Sequence, residues 1–374
     1  ANRPPARRGV AAASTIRRCR THLPPENASA RRPFGGNASA ALAASFSSSS
    51  SSSSSDFVPP PPPTSKGHPI FPDIDLSTPG TPSSSSSSSD EANQRNADPH
   101  AVFVITGANR GIGLQFVKAV LDRSRGRIAA CCRSPRDAEA LEAVKASLPA
   151  EERERIRLVR LDVEDQMSIE GAADEIRTEY GRVDALLNVA GILGDGGEST
   201  PGPERSLGKI DREWTAKSLA VNVIGPVMLA QALAPLMRTK GGRGQRRTRR
   251  KTSDEGEEKE EQRAPSIVAN LSARVGSISD NELGGWYSYR LSKAALNQAT
   301  RTMAHELKRQ GTRAVALHPG TTDTDLSAPF QRNVAEGRLF PVEFTVRQLL
   351  DCIDNLDDEH SGGLYDWSGR ALPF

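Results

Sequence analysis

The stretch from Val102 to Gly113 constrains this chain more than any other. Val102-Phe103-Val104-Ile105 is a short β-rich apolar run, which reads as a strand buried on both faces. It passes directly into Thr106-Gly107-Ala108-Asn109-Arg110-Gly111-Ile112-Gly113, after which Leu114, Val117, Val120 and Leu121 recur at helical spacing. Glycines let the backbone approach a pyrophosphate closely. The helix that follows offers free N–H groups and a partial positive charge to the same anion. A glycine-rich turn alone is a weak signal. The strand before it and the helix after it favour dinucleotide binding over an ordinary turn.

The same alternation continues. Strands are predicted over Arg127 to Cys132, Ile156 to Leu161 and Val183 to Leu187, with helices over Asp137 to Leu148 and Met167 to Tyr180. This order gives an α/β fold, a doubly wound parallel sheet in a single domain. In such sheets ligands gather beyond the C-terminal ends of the strands. Arg133 stands at the end of the second strand, where an NAD site carries an acid for the ribose 2′-hydroxyl. Arg133 and Arg110 together suit a 2′-phosphate, hence NADP(H); the alternative is two solvated surface charges. Asp162-Val163 follows the third strand, placed to meet an adenine amino group, and Asn188-Val189-Ala190-Gly191 follows the fourth.

Beyond a Gly/Pro-rich loop from Gly194 to Gly208, Asp211 is placed to cap a long helix reaching Met237. Asn222 lies inside it, and its neighbours Val221, Val223 and Ile224 predict burial of a residue that helices mildly disfavour. A strand from Ser266 to Leu271 leads to Ser272-Ala273-Arg274-Val275-Gly276-Ser277. Tyr289 and Lys293 then fall four residues apart, on one face of the next helix. A cation near a phenol favours the phenolate and lowers a pKa of about 10, as suits a general acid/base. The spacing also arises by chance, as a half-buried Tyr beside a solvated Lys. Strand Ala314 to Leu317 delivers His318-Pro319-Gly320-Thr321, with His318 read as structural rather than as a base. Residues 328–340 read as a covering loop, before a helix from Val342 to Leu350 and a last strand around Leu364-Tyr365-Asp366.

Composition divides the chain. Residues 1–99 show almost no apolar periodicity, and order is expected from near His100, giving a domain over 100–374. Up to Ala44 the chain is rich in Arg and Ser and carries one acid, Glu26, the composition of an organellar transit peptide, plastid or mitochondrial, with a cytoplasmic tail as the alternative. The Ser and Pro runs after it cannot bury a core and read as disordered. Residues 240–264 form a block of bases followed by acids, expected to be a disordered insertion. A net charge of +3 argues for no nucleic-acid partner. No unbroken apolar run of membrane-spanning length is seen. The four cysteines show no metal-binding spacing and read as reduced thiols.

Taken together, Thr106-Gly107-x-x-x-Gly111-x-Gly113, Asn188-x-Ala190-Gly191, Asn222, Tyr289-x-x-x-Lys293 and Pro319-Gly320 resemble the short-chain dehydrogenase/reductase family over about residues 101–374. Arg290, the segment 273–278 and Gly284-Gly285-Trp286-Tyr287-Ser288-Tyr289 look like its C-factor or sniffer-type carbonyl reductases. The resemblance implies a Rossmann fold and NADPH-dependent reduction of a small ketone or aldehyde. It implies that Tyr289 protonates the carbonyl oxygen and that Lys293 holds the nicotinamide ribose and lowers the pKa of Tyr289. Asn222 would hold a relay water. Gly107, Asn109, Arg110, Gly111, Ile112 and Gly113 would bind the pyrophosphate, with Arg133 on the 2′-phosphate. Asn188, Ala190 and Gly191 would line the cofactor, and Pro319, Gly320 and Thr321 would approach the nicotinamide. Members often pair helices into dimers or tetramers, which makes a homo-oligomer the matching expectation.

One position departs from the pattern. Where the family often carries two serines, with the second catalytic, this chain has Ser272-Ala273. Ser272, Ser277 or no serine completes the site. A second reading, an NADP(H)-binding signalling protein with little turnover, follows from that departure and from the C-factor likeness. Sugar epimerases on the same fold prefer Gly-x-x-Gly-x-x-Gly and fit less well.

Overall fold

The computed structural model describes residues 87–240 and 263–374. The transit-peptide-like stretch, the Ser and Pro runs and nearly all of the charged block lie outside the described residues. The strands are Val102–Thr106 (β1), Arg127–Cys132 (β2), Ile156–Arg160 (β3), Ala185–Asn188 (β4), Ser266–Leu271 (β5), Thr312–His318 (β6), Thr321–Thr322 (β7), Leu339–Phe340 (β8) and Leu364–Asp366 (β9). The α-helices are Ser87–Ala97 (α1), Gly111–Arg123 (α2), Glu139–Ser147 (α3), Gln166–Tyr180 (α4), Arg212–Leu219 (α5), Gly225–Leu233 (α6), Tyr287–Leu307 (α7) and Val342–Asp354 (α8).

Seven strands form one parallel sheet in the order β3-β2-β1-β4-β5-β6-β9, and β7 pairs with β8 apart from it. Every residue of β1 is buried, as a parallel sheet covered on both faces requires. Its alternate side chains serve opposite layers. Phe103 and Ile105 pack with Phe116, Val117, Val346 and Leu349 of α2 and α8, whereas Val102 and Val104 pack with Ile169, Ile176, Leu229 and Leu233 of α4 and α6. The chain winds outward from β1 to β2 and β3, then from β4 to β5 and β6. The reversal between β1 and β4 opens the crevice at which this architecture binds ligands.

One expectation is corrected. Helix α1 lies ahead of His100 and is docked against the domain. Its sequence shows no apolar stripe, since ions rather than an apolar face hold it. The Arg95 guanidinium, 4% exposed, lies 3.0 Å from Asp354 Oδ1, and Arg123 joins Asp354 at 2.9 Å and Asp351 at 2.5 Å. Glu91 pairs with Arg313 on β6 at 2.5 Å. The helical run Arg212–Met237 is long and apolar enough by composition to span a membrane. Here Leu229, Leu233 and Met237 pack into the layer beside the sheet, as in a buried core helix.

Both ends of the charged block are fixed at the edge of the sheet opposite the crevice. The Thr239 and Lys240 N–H groups donate to Gln310 C=O at 2.8 and 2.9 Å, and Arg263 pairs with Asp184 at 2.8 Å. The α1 network gives a direct test. Replacing Arg95→Ala removes one of two guanidiniums on Asp354, which keeps Arg123, and is expected to cost about 1.5–3 kcal/mol in urea unfolding.

Candidate active site

The glycine loop fits an anionic ligand. The N-terminus of α2 has no side-chain cap and no acid in its first turn, so its leading amides are open to an incoming anion. Gly113 is required by contact: a Cβ there would stand 2.1 Å from the Gly107 carbonyl oxygen. Gly107, at φ +65°, lies against Ala190, which joins the loop to the segment leaving β4. Thr106 fixes that junction, its Oγ1 accepting from the N–H groups of Val189 at 2.9 Å and Ala190 at 3.0 Å. Asn188 is buried and donates to Asn270 Oδ1 at 2.8 Å.

Arg110 and Arg133 are both exposed at the β1–β2 side of the crevice, and Arg110 faces Asp325 at 3.6 Å. Asp162 and Val163 follow β3 on the same side, half-buried, with Ser168 Oγ accepting from Asp162 N–H at 2.9 Å. Gly320, at φ +73°, nests against Phe340 and Trp367, which fixes the turn after β6 and carries Thr321 into β7. Thr324 is a residue the sequence did not single out as a ligand. Its methyl would sit 3.6 Å from a Cβ on Gly111, so it stands against the glycine loop. The density of threonines after Pro319-Gly320 was the available signal.

At the other end of the crevice, Asn222 sits in a π-turn, Ala220–Ile224, that joins α5 to α6. Such turns recur at functional sites because they re-aim side chains and loosen the carbonyl ladder. Its side chain accepts from Ile192 N–H at 2.8 Å, donates to Ile192 C=O at 2.9 Å and donates to Ser292 Oγ at 3.0 Å. It therefore locks the 190–192 segment to α7. A Cβ on Gly191 would meet both Asn222 Oδ1 and Lys293 Nζ, so the three positions converge.

Tyr289 and Lys293 do share one face of α7. Lys293 is 4% exposed, donates to Leu271 C=O at 2.8 Å, and lies 5.5 Å from the centroid of the Tyr289 ring. Burial lowers Lys293 to about 8. Burial also pushes the half-buried Tyr289 phenol well above its ordinary value. The expectation of a lowered Tyr289 pKa is not met, because burial disfavours the phenolate and is the dominant effect on the phenol. Burial thus favours the neutral phenol.

The serines are separated by their partners. Ser272 and Ser277 are each 2% exposed. Ser272 Oγ donates to Asn297 Oδ1 at 2.5 Å, while Ser277 Oγ accepts from Asp280 N–H at 3.2 Å. Ala273 is itself buried. Asn297 continues the helical face of Tyr289 and Lys293, a spacing from which it could have been read. His318 Nδ1 is buried without a partner among the described residues, and burial, reinforced by Arg274, takes its pKa down to about 4, in keeping with a structural role.

The family model for short chain dehydrogenases matches residues 101–245 and 261–335, more than half of the sequence and all of the motifs above. The chain belongs to the short-chain dehydrogenase family. Among the relatives of this short-chain dehydrogenase is the C-signal of Myxococcus xanthus, 34% identical over 194 residues, 52% of this chain and 94% of that protein. Another is the 1-hydroxy-2-glutathionyl-2-methyl-3-butene dehydrogenase of Rhodococcus sp. (strain AD45), 29% identical over 72% of this chain and 97% of that one. The fold matches the NADPH-bound carbonyl reductase from chicken fatty liver with a TM-score of 0.59 at 28% identity, covering 74% of this chain and 99% of that one. The carbonyl reductase Sniffer of D. melanogaster matches with a TM-score of 0.59 at 25% identity, over 74% of this chain and 99% of that one.

Asn222→Ala would leave the Ile192 amide and carbonyl without their side-chain partners. It is expected to cost about 2–3 kcal/mol in urea unfolding and to speed proteolysis within residues 190–200.

Proposed function

We propose that this short-chain dehydrogenase is an NADPH-dependent reductase of ketones or aldehydes. The observation that carries the reading is the convergence of Tyr289, Lys293, Asn222 and Gly191 at the C-terminal edge of the sheet, beside an uncapped glycine loop. Gly107, Asn109, Arg110, Gly111, Ile112 and Gly113 would hold the pyrophosphate, with Arg110 and Arg133 on the 2′-phosphate. Asp162 and Val163 would border the adenine, Asn188, Ala190 and Gly191 the ribose side, and Pro319, Gly320 and Thr321 the nicotinamide. NADPH bound there would supply the hydride.

The remaining work falls to the protein. Tyr289, neutral by burial, donates its phenolic proton to the substrate oxygen as negative charge develops there. Lys293 keeps a positive charge beside that phenol and stabilises the phenolate left behind. Asn222, set in its π-turn, is the residue proposed to hold a water that returns the proton. Ser272 is the serine proposed to orient the carbonyl, by exchanging its bond to Asn297 for one to the substrate. The residues between β4 and α5 and the segment after β7 would line the substrate pocket, with the Trp286 ring 6.2 Å from Tyr289 and 5.2 Å from Phe330 as an apolar wall.

The resemblance to the C-signal and the absence of a serine at position 273 favour a second reading, a cofactor-binding signalling protein with little turnover. NADPH oxidation with a panel of ketones and aldehydes separates the two. Tight NADPH binding with no turnover, and no effect of Tyr289→Phe on a biological readout, would sink the enzyme reading.

Tyr289→Phe is expected to lower kcat by about 100-fold or more while NADPH affinity stays within about twofold, by single-turnover kinetics and fluorescence titration. The pH profile should be asymmetric. Lys293 titrates near 8, so its charge is present below that pH and lost above it. Initial rates of carbonyl reduction are expected to be level on the acid side and to fall as pH rises through about 8. A rate that climbs there would contradict the role given to Lys293.

A further inference from the structure

We infer that Glu204 is a positioning residue, a buried carboxylate that clamps the loop before α5 to the start of the catalytic helix. The inference rests on the reductase reading for its kinetic consequence and on geometry for the clamp itself. Helix α7 begins without a side-chain cap of its own, and its N-cap residue, Trp286, adopts φ 54°, a left-handed conformation costly for a bulky side chain. Such a residue persists only where its surroundings fix it. Glu204 supplies that restraint at two points. Its backbone carbonyl accepts from Trp286 N–H at 2.5 Å, and its Oε2 accepts from both Ser288 N–H and Ser288 Oγ at 3.0 Å.

Glu204 is 2% exposed and Ser288 fully buried, so water cannot replace these bonds. An anion on the first amides of a helix is electrostatically favoured, and here it comes from a loop more than eighty residues away in sequence. The loop is itself built to deliver it. Gly202 lies so close to Trp214 that a Cβ there would stand 2.1 Å from the indole nitrogen, and Trp214 is buried on α5. The next residue after Ser288 is Tyr289, and the Trp286 ring meets both Tyr289 and Phe330. Glu204 therefore holds the acid and the apolar wall in register with each other. It touches neither the glycine loop nor the arginines beside it.

The test compares wild type, Glu204→Ala and Glu204→Gln as full-length chains. Glu204→Ala is expected to lower kcat by about tenfold or more, since small misplacements of a catalytic group are costly, while the KM for NADPH stays within about twofold. Glu204→Gln keeps an acceptor oxygen for Ser288 and is expected to recover most of the lost turnover. Amide hydrogen exchange followed by mass spectrometry supplies a readout that needs no turnover. Exchange over residues 286–290 should quicken in Glu204→Ala, while residues 106–113 stay as in wild type. Turnover within about twofold of wild type in Glu204→Ala, unchanged exchange over 286–290, or a parallel loss of NADPH affinity would each overturn the assignment. If wild type reduces none of the carbonyls, the reductase reading fails, and the exchange result alone decides whether Glu204 is the clamp.

Discussion

The hydrogen bond from Lys293 Nζ to the Leu271 carbonyl carries the geometry on which the site depends. It joins α7 to the last residue of β5, and it does so with a charge that burial disfavours. An ammonium 4% exposed needs an acceptor, and the end of a parallel strand offers one whose ladder partner has run out. The adjacent Gly276 allows this closeness, since a Cβ there would run into the Lys293 backbone. Tyr289 and Asn222 then follow from the position of Lys293, one on the same helical face and the other through Gly191 and Ser292.

Much of this was legible in the sequence, for a physical reason. Parallel strands buried on both faces must be apolar runs, and the inner strands such as β1 and β4 announce themselves that way, while the edge strand β3 mixes buried and exposed positions. The glycine loop is legible because Gly113 has no substitute at 2.1 Å from a carbonyl. The Tyr-Lys spacing is legible because helices repeat. What escaped notice is held by polar contacts between distant segments. Helix α1 docks through Arg95 and Asp354, and Glu204 meets Ser288 across the fold. Neither contact leaves a periodic trace. Asn222 was expected to be buried in a helix and is, but the widening of that helix into a π-turn follows from its ties to Ile192 and Ser292, which propensity does not encode.

The electrostatics of the pair also differ from what spacing suggests. Two groups a turn apart were expected to share a proton equilibrium that favours the phenolate. Burial acts on both in the direction of neutrality, raising the phenol and lowering the amine. Burial therefore favours a protonated Tyr289, the form that the proposed role as proton donor uses.

The ion pairs of α1 carry a consequence for where the domain begins. Arg95 and Glu91 reach charged groups on α8 and β6, elements more than two hundred residues away. Without the helix, Asp354 would keep Arg123 and Arg313 would keep Asp358, so each network would lose one of its opposite charges rather than all of them. The eleven residues Ser87–Ala97 belong, by their bonds, to the same unit as the sheet, whose boundary therefore lies ahead of β1.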